Sequence, residues 1–157
     1  MKPAVIGKIP KFKLPKNCRA NWENIVEPGE VDSISASIDE WSFPALVKLA
    51  AAAGYVPHDA QMYASVNFLP VNGSIKWHTD IGSGINVACL AVSEDYLGGL
   101  PELITRHGAQ ELRHGDVFVF DADKGHAWIA NDFCVLASIT ARKKRQRRNH
   151  NPSLTKP

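Results

Sequence analysis

His78 and Asp80, in the stretch Ile75-Lys76-Trp77-His78-Thr79-Asp80, are the residues best placed to do chemistry. A strand sends residues i and i+2 to one face, so a strand through this stretch would turn an imidazole and a carboxylate toward one point. A second histidine beside them completes a two-His, one-carboxylate set. Such a set takes one face of an octahedral Fe(II) and leaves the remaining positions for O2 and a bound co-substrate. The chain has six histidines: His58, His78, His107, His114, His126 and His150. His126 is the strongest partner, because it follows the turn in Asp121-Ala122-Asp123-Lys124-Gly125 and opens the next apolar run, so that a second strand returns its imidazole toward the first. His114-Gly115-Asp116 is another H-x-D, but Gly at its centre and Asp at its end, ahead of Val117-Phe118-Val119-Phe120, have the chemistry of a turn.

The elements that must position these residues are mostly strands. The pattern predicts them at Gln61–Leu69, Ser74–Thr79, Ile85–Val92, Leu100–Thr105, Gln110–Leu112, Val117–Phe120, His126–Ala130 and Phe133–Arg142, with Gly, Pro, Asn and Asp marking the turns between. A helix should precede them: Ser42 can cap it, Pro44 suits its first turn, Ala45 to Ala53 favour it and Gly54 is placed to end it. Val31, Ile34, Ile38 and Trp41 recur at helical spacing and predict an earlier one. Pro3, Pro10, Pro15 and Pro28 argue for an extended arm, part of which can lie across the body as an edge strand. The fold class is therefore mostly β with a helical brace, a sandwich or jelly roll.

A chain of 157 residues, 45% apolar and 22% charged, makes one folded body. We divide it into an extended basic arm (1–30), a body (31–142) and a basic tail (143–157). The formal charge of +2 conceals a segregation. Residues 1–20 hold six Lys/Arg and residues 142–157 hold seven, whereas residues 21–141 hold five together with all 16 acids. Basic ends on an acidic body suit a polyanion such as nucleic acid, attraction between tail and body, or a solvated tail. No apolar run is long enough to span a membrane and no leader sequence opens the chain, so the expected location is cytoplasmic. Cys18, Cys89 and Cys134 are odd in number and lack a C-x-x-C pair, which indicates neither a disulfide framework nor a zinc knuckle. The absence of a phosphate-binding glycine loop and of G-x-S-x-G argues against nucleotide hydrolysis and serine-hydrolase chemistry.

His78 and Asp80 on an early strand, a second histidine about 45 residues later behind a Gly-Asp-Val strand, and Arg142 closing the last strand together resemble the Fe(II)/2-oxoglutarate-dependent dioxygenases, over roughly residues 61–142. The resemblance implies a double-stranded β-helix with His78, Asp80 and His126 as iron ligands. It also implies 2-oxoglutarate as co-substrate and O2 as oxidant, with Arg142 gripping the distal carboxylate through a bidentate pair. Ser138 and Thr140 alternate with Arg142 and become its partners in holding the co-substrate. Asn67, eleven residues before His78, matches an Asn that contacts 2-oxoglutarate in the alkylated-base-repair branch. That branch has a Tyr two residues further on, where this chain has Leu69, so Tyr63 or another donor takes its part or that wall of the pocket differs. The sixteen residues from His126 to Arg142 are long for the prolyl-hydroxylase-like branch and closer to base repair.

The implied reactions are oxidation or demethylation of a nucleic acid, favoured by the basic tail, then peptidyl hydroxylation of the prolyl type, then hydroxylation of a small molecule. A metal-binding jelly roll of cupin type without oxygenase activity, or a basic-tailed binding module, is the reading from a different class. Trp77 and Trp128 are assigned to packing, on the sheet face opposite the ligands, and Cys89 and Cys134 to the core.

Overall fold

The computed structural model describes residues 1–13, 33–34, 43–57, 64–69, 74–94 and 96–145. Eleven strands and one helix lie within them: β1 (Ala4–Lys8), β2 (Ser33–Ile34), α1 (Phe43–Ala52), β3 (Tyr55–Pro57), β4 (Ala64–Leu69), β5 (Ser74–His78), β6 (Ile85–Val92), β7 (Glu102–Thr105), β8 (Gly108–Glu111), β9 (Asp116–Asp121), β10 (His126–Ile129) and β11 (Cys134–Lys143).

The pairing is nested. β7 and β8 form a hairpin, and outward from it β6 pairs with β9, β5 with β10 and β4 with β11, all antiparallel. This long hairpin coils so that successive pairs fall alternately into two sheets, β9-β6-β11-β4 and β5-β10-β7-β8. That is a double-stranded β-helix, or jelly roll. β1 extends the larger sheet beside β9, β2 extends it beside β4, and β3 pairs with the end of β11, giving seven strands in that sheet against four in the other.

Burial explains the sequence pattern strand by strand. β6, β9 and β11 are covered on both faces, so they read as nearly unbroken apolar runs. Val87, Cys89, Val117, Val119, Val135, Ala137 and Ile139 face outward, onto Leu46 and Ala50 of α1 and onto Phe12. Ala88, Leu90, Phe118, Phe120, Cys134 and Leu136 face inward, onto Trp128 and Leu103 of the smaller sheet. Burial pushes the thiols of Cys89 and Cys134 up to about 12, as expected of inert core residues. β10 is half-covered and alternates accordingly, with His126 and Trp128 buried and Ala127 and Ile129 partly exposed. The helix expected from Ser42 to Gly54 is present, and the Gly54 N–H closes on Ala51 O beyond its last turn.

The helix expected around Val31–Trp41 is not present at Ser33–Ile34, which pair with Asn67 and Val66 of β4. The remainder of that stretch lies outside the described residues. A free edge of β4 offers unpaired backbone groups, and a Ser-rich segment with β-branched residues satisfies them better as a strand than it forms an isolated helix. No helix among the described residues is long and apolar enough to cross a membrane.

Candidate metal centre

His78 ends β5, His126 begins β10, and the two stand directly opposite each other in the antiparallel register. Their rings are 4.3 Å apart, centroid to centroid. Asp80 reaches both, with one carboxylate oxygen 3.7 Å from His78 Nε2 and the other 3.5 Å from His126 Nε2. One ligand atom from each of the three residues lies within 4.8 Å of the others.

Both imidazoles are oriented by the backbone. His78 Nδ1 donates to Lys76 O at 2.6 Å, and His126 Nδ1 donates to Lys124 O at 2.9 Å. A carbonyl can only accept, so Nδ1 carries a proton in each ring and Nε2, on the side of Asp80, is the nitrogen left to ligate a cation. This backbone anchoring is the usual outer support of a metal-bound histidine. Ligand atoms on one face of an octahedral ion, with bonds of ~2.1 Å, sit about 3 Å apart, so the three groups need only a small contraction to close on a cation. Two neutral nitrogens and one carboxylate suit a borderline divalent ion such as Fe(II).

Asp80 does not lie on the strand as the alternation suggested. β5 stops at His78, and Asp80 is held in the following turn: its N–H donates to Ala122 O, and its carbonyl accepts from Ser83 N. The turn bearing Asp80 is further tied to the one before His126, because Ala122 N–H donates to Gly84 O and Gly82 N–H to Asp123 Oδ1. The two ligand-bearing turns are thus one cross-linked unit.

The register between β5 and β10 shifts between His126 and Trp128, so that Lys76 and Trp77 together stand opposite Ala127. This bulge is what returns both Ile75 and His78 to the interior. It sends Trp77 outside, where the indole is 56% exposed and lies against Gly125, so closely that any side chain there would collide with the ring. Trp77 is therefore on the opposite face from the ligands, as expected, but it covers the outside of the turn that delivers His126 and is not part of the core.

Trp128 differs from expectation. It lies two residues after His126 and shares its face, packed inside against Phe118 at 5.5 Å and Phe120 at 5.6 Å between ring centroids. Phe120 in turn meets His126 edge-on at 5.2 Å. These aromatic contacts make a dry wall behind His126, whose side chain is 2% exposed, whereas that of Asp80 is 49% exposed. The centre therefore has a closed floor and one open side.

Among the other expected site residues, Ser138, Thr140 and Arg142 follow one another on the inward-facing rank of β11, passing from buried through half-buried to exposed as the strand reaches the mouth. Arg142 makes no ion pair with a described residue. Asn67 stands on β4 opposite Leu136, farther along β11 from the mouth than Ser138. Tyr63 lies outside the described residues.

One residue went unrecognised in the sequence. Asn86, in the first turn of the pleat of β6, is opposite Thr140 on one side and Phe120 on the other. It is only 8% exposed and has no side-chain hydrogen bond to a described residue. A polar residue inside Ile85-Asn86-Val87-Ala88-Cys89-Leu90 was the available signal.

No family model matches the chain, and none of the curated proteins is similar to it in sequence. Solved structures with a similar fold include a prolyl-4-hydroxylase from Pseudomonas putida, at TM-score 0.47 and 14% identity, covering 71% of this chain and 68% of that one. Salicylate 1,2-dioxygenase from Pseudoaminobacter salicylatoxidans matches at TM-score 0.46 and 13% identity over 82% of this chain, which spans only 33% of that enzyme. An RmlC-like cupin protein from Desulfovibrio desulfuricans matches at TM-score 0.40 and 17% identity, covering 55% of this chain and 77% of the cupin. Likeness at this level does not extend to ligand or reaction.

Proposed function

We propose that the chain is an Fe(II)- and 2-oxoglutarate-dependent oxygenase that oxidises or demethylates a nucleic acid. The observation that carries the reading is the convergence of His78 Nε2, Asp80 and His126 Nε2 at the open end of a double-stranded β-helix, with both Nδ1 atoms anchored on backbone. Bound iron supplies the activation of O2, with 2-oxoglutarate providing two electrons as it is oxidised to succinate and CO2. The chain's own residues do the positioning. His78, Asp80 and His126 hold the ion, and Phe120 keeps water from the inner side of His126. Arg142, at the end of β11 and without an ion pair to a described residue, is suited to a distal carboxylate, with Thr140 and Asn86 as polar neighbours deeper in the mouth.

Support for a nucleic acid is electrostatic. Lys143, Lys144 and Arg145 are all exposed where β11 leaves the barrel, at the same end as the candidate metal ligands. Lys76 and Lys124, whose carbonyls hold the two imidazoles, have exposed side chains beside them. Such contacts to phosphate give strongly salt-dependent, sequence-blind binding. Arg147 and Arg148 of the tail lie outside the described residues.

The test is succinate release from 2-oxoglutarate in air with Fe(II) and ascorbate. Turnover should be present in the wild type, raised by single-stranded DNA or RNA, and absent in His78→Ala. Arg142→Ala should need at least about tenfold more 2-oxoglutarate, the scale of a lost charge-assisted pair. Succinate at the wild-type level in His78→Ala refutes the metal assignment; turnover indifferent to nucleic acid but stimulated by peptides refutes the substrate class.

A further inference from the structure

The end of the barrel remote from the metal ligands carries a second recess. Lys11, Phe12 and Lys13, where the chain leaves β1, stand across from Ser93 and Glu94 at the end of β6 and from His114 in the turn before β9, around a cleft of about 750 Å³. That volume is in the range of small-molecule sites.

Two features of the lining point to an anion. The His114 ring is fixed by Val92 N–H, which donates to Nδ1 at 3.0 Å. Nδ1 is therefore the acceptor, and the ring proton of neutral His114 sits on Nε2 as a donor without an acceptor among the described residues. Lys11 and Lys13 are exposed, and neither is ion-paired with a described residue; among the described residues of the lining, Glu94 is the single acid against these two ammonium groups. Pro10, Phe12 and Val92 supply apolar surface between them.

We propose that this cleft is a second binding site, for a small organic molecule with an oxyanion head on an apolar body. The lysines attract the head, His114 Nε2–H donates to it, and the apolar wall takes the body. This accounts for the histidine of the second H-x-D: it belongs to a turn, and its free ring edge serves this site rather than the metal.

The experiment is calorimetric titration of the full chain with phenyl phosphate, benzoate and benzylamine, which share a ring and differ in head group. Saturable binding of either anion and none of the cation is expected, the tighter anion naming the head. Lys11→Glu with Lys13→Glu should weaken binding by about tenfold or more. His114→Asn keeps an acceptor for Val92 N–H but carries its remaining N–H donors on a shorter side chain, away from the position of Nε2, and should weaken it by roughly three- to tenfold. His78→Ala should bind as the wild type does. No saturable binding of either anion, affinities unmoved by the cleft variants, or binding lost in His78→Ala would each overturn the proposal.

Discussion

Replacing His126 with alanine is expected to abolish metal binding and, with it, all turnover. The imidazole is one of three protein ligands, so its loss should exceed the roughly 10–100-fold in affinity that removal of an outer-shell partner costs. The same change empties a site that is 1% exposed and packed against Phe120, and a cavity of that kind costs about 1–3 kcal/mol. His126→Gln fills more of the space and separates the two effects. Fe(II) added anaerobically at about 100 times its dissociation constant should stabilise the wild type by ~2.7 kcal/mol. For a chain of this size that is a rise of roughly 5–10 °C in the thermal midpoint. The rise should be missing in both variants, even where His126→Gln folds with nearly the wild-type midpoint. An undiminished metal-induced shift in His126→Gln would remove this residue from the centre.

The second large effect is on stability and lies at the other end of the barrel. Gly115 has a φ of 79°, and a Cβ built there would stand 2.5 Å from Ile9 O. The contact cannot relax cheaply. Ile9 N–H donates to Gly115 O at 2.8 Å and Gly115 N–H to Leu90 O at 2.7 Å, so the glycine pins the exit of β1 to β6 and β9. Gly115→Ala should cost about 3 kcal/mol, from left-handed backbone strain and the displaced strand together. The thermal midpoint should fall by roughly 6–12 °C. Gly108→Ala is the control: φ is 106° there, but nothing lies within 4 Å of the added carbon, so only the backbone strain of ~1–2 kcal/mol applies. Equal losses in the two variants would show that the approach to Ile9 contributes nothing.

What was legible in the sequence follows from what repeats. β6 was recognised with its observed bounds, and β9, β10 and β11 to within a residue at each end, because burial on one or both faces leaves a period of two or an apolar run between turn residues. The convergence of His78 and Asp80 was legible for the wrong geometric reason. His78 and Asp80 converge because a turn cross-linked to Ala122 carries the carboxylate back, not because the strand continues. Edge strands were harder. β3 has three residues and β2 two, and each is defined by the partner it pairs with rather than by its own pattern, so Val31 and Ile34 could pass for a helical repeat. The bulge at Lys76 and Trp77 left no mark in the sequence, since both residues are ordinary in a strand, yet it decides which side Trp77 takes. Asn86 illustrates the converse: a polar residue in an apolar strand is visible, but only the register shows that it stands between Thr140 and Phe120.

The central claim is that His78, Asp80 and His126 hold an iron that 2-oxoglutarate joins, and anaerobic titration of Fe(II) and 2-oxoglutarate into the protein, followed by visible absorption, tests it most directly. The account predicts a weak charge-transfer band that saturates at one iron per chain, requires 2-oxoglutarate, and is absent in Asp80→Ala. Iron that binds without any band on addition of 2-oxoglutarate, or a band that survives in Asp80→Ala, would contradict it.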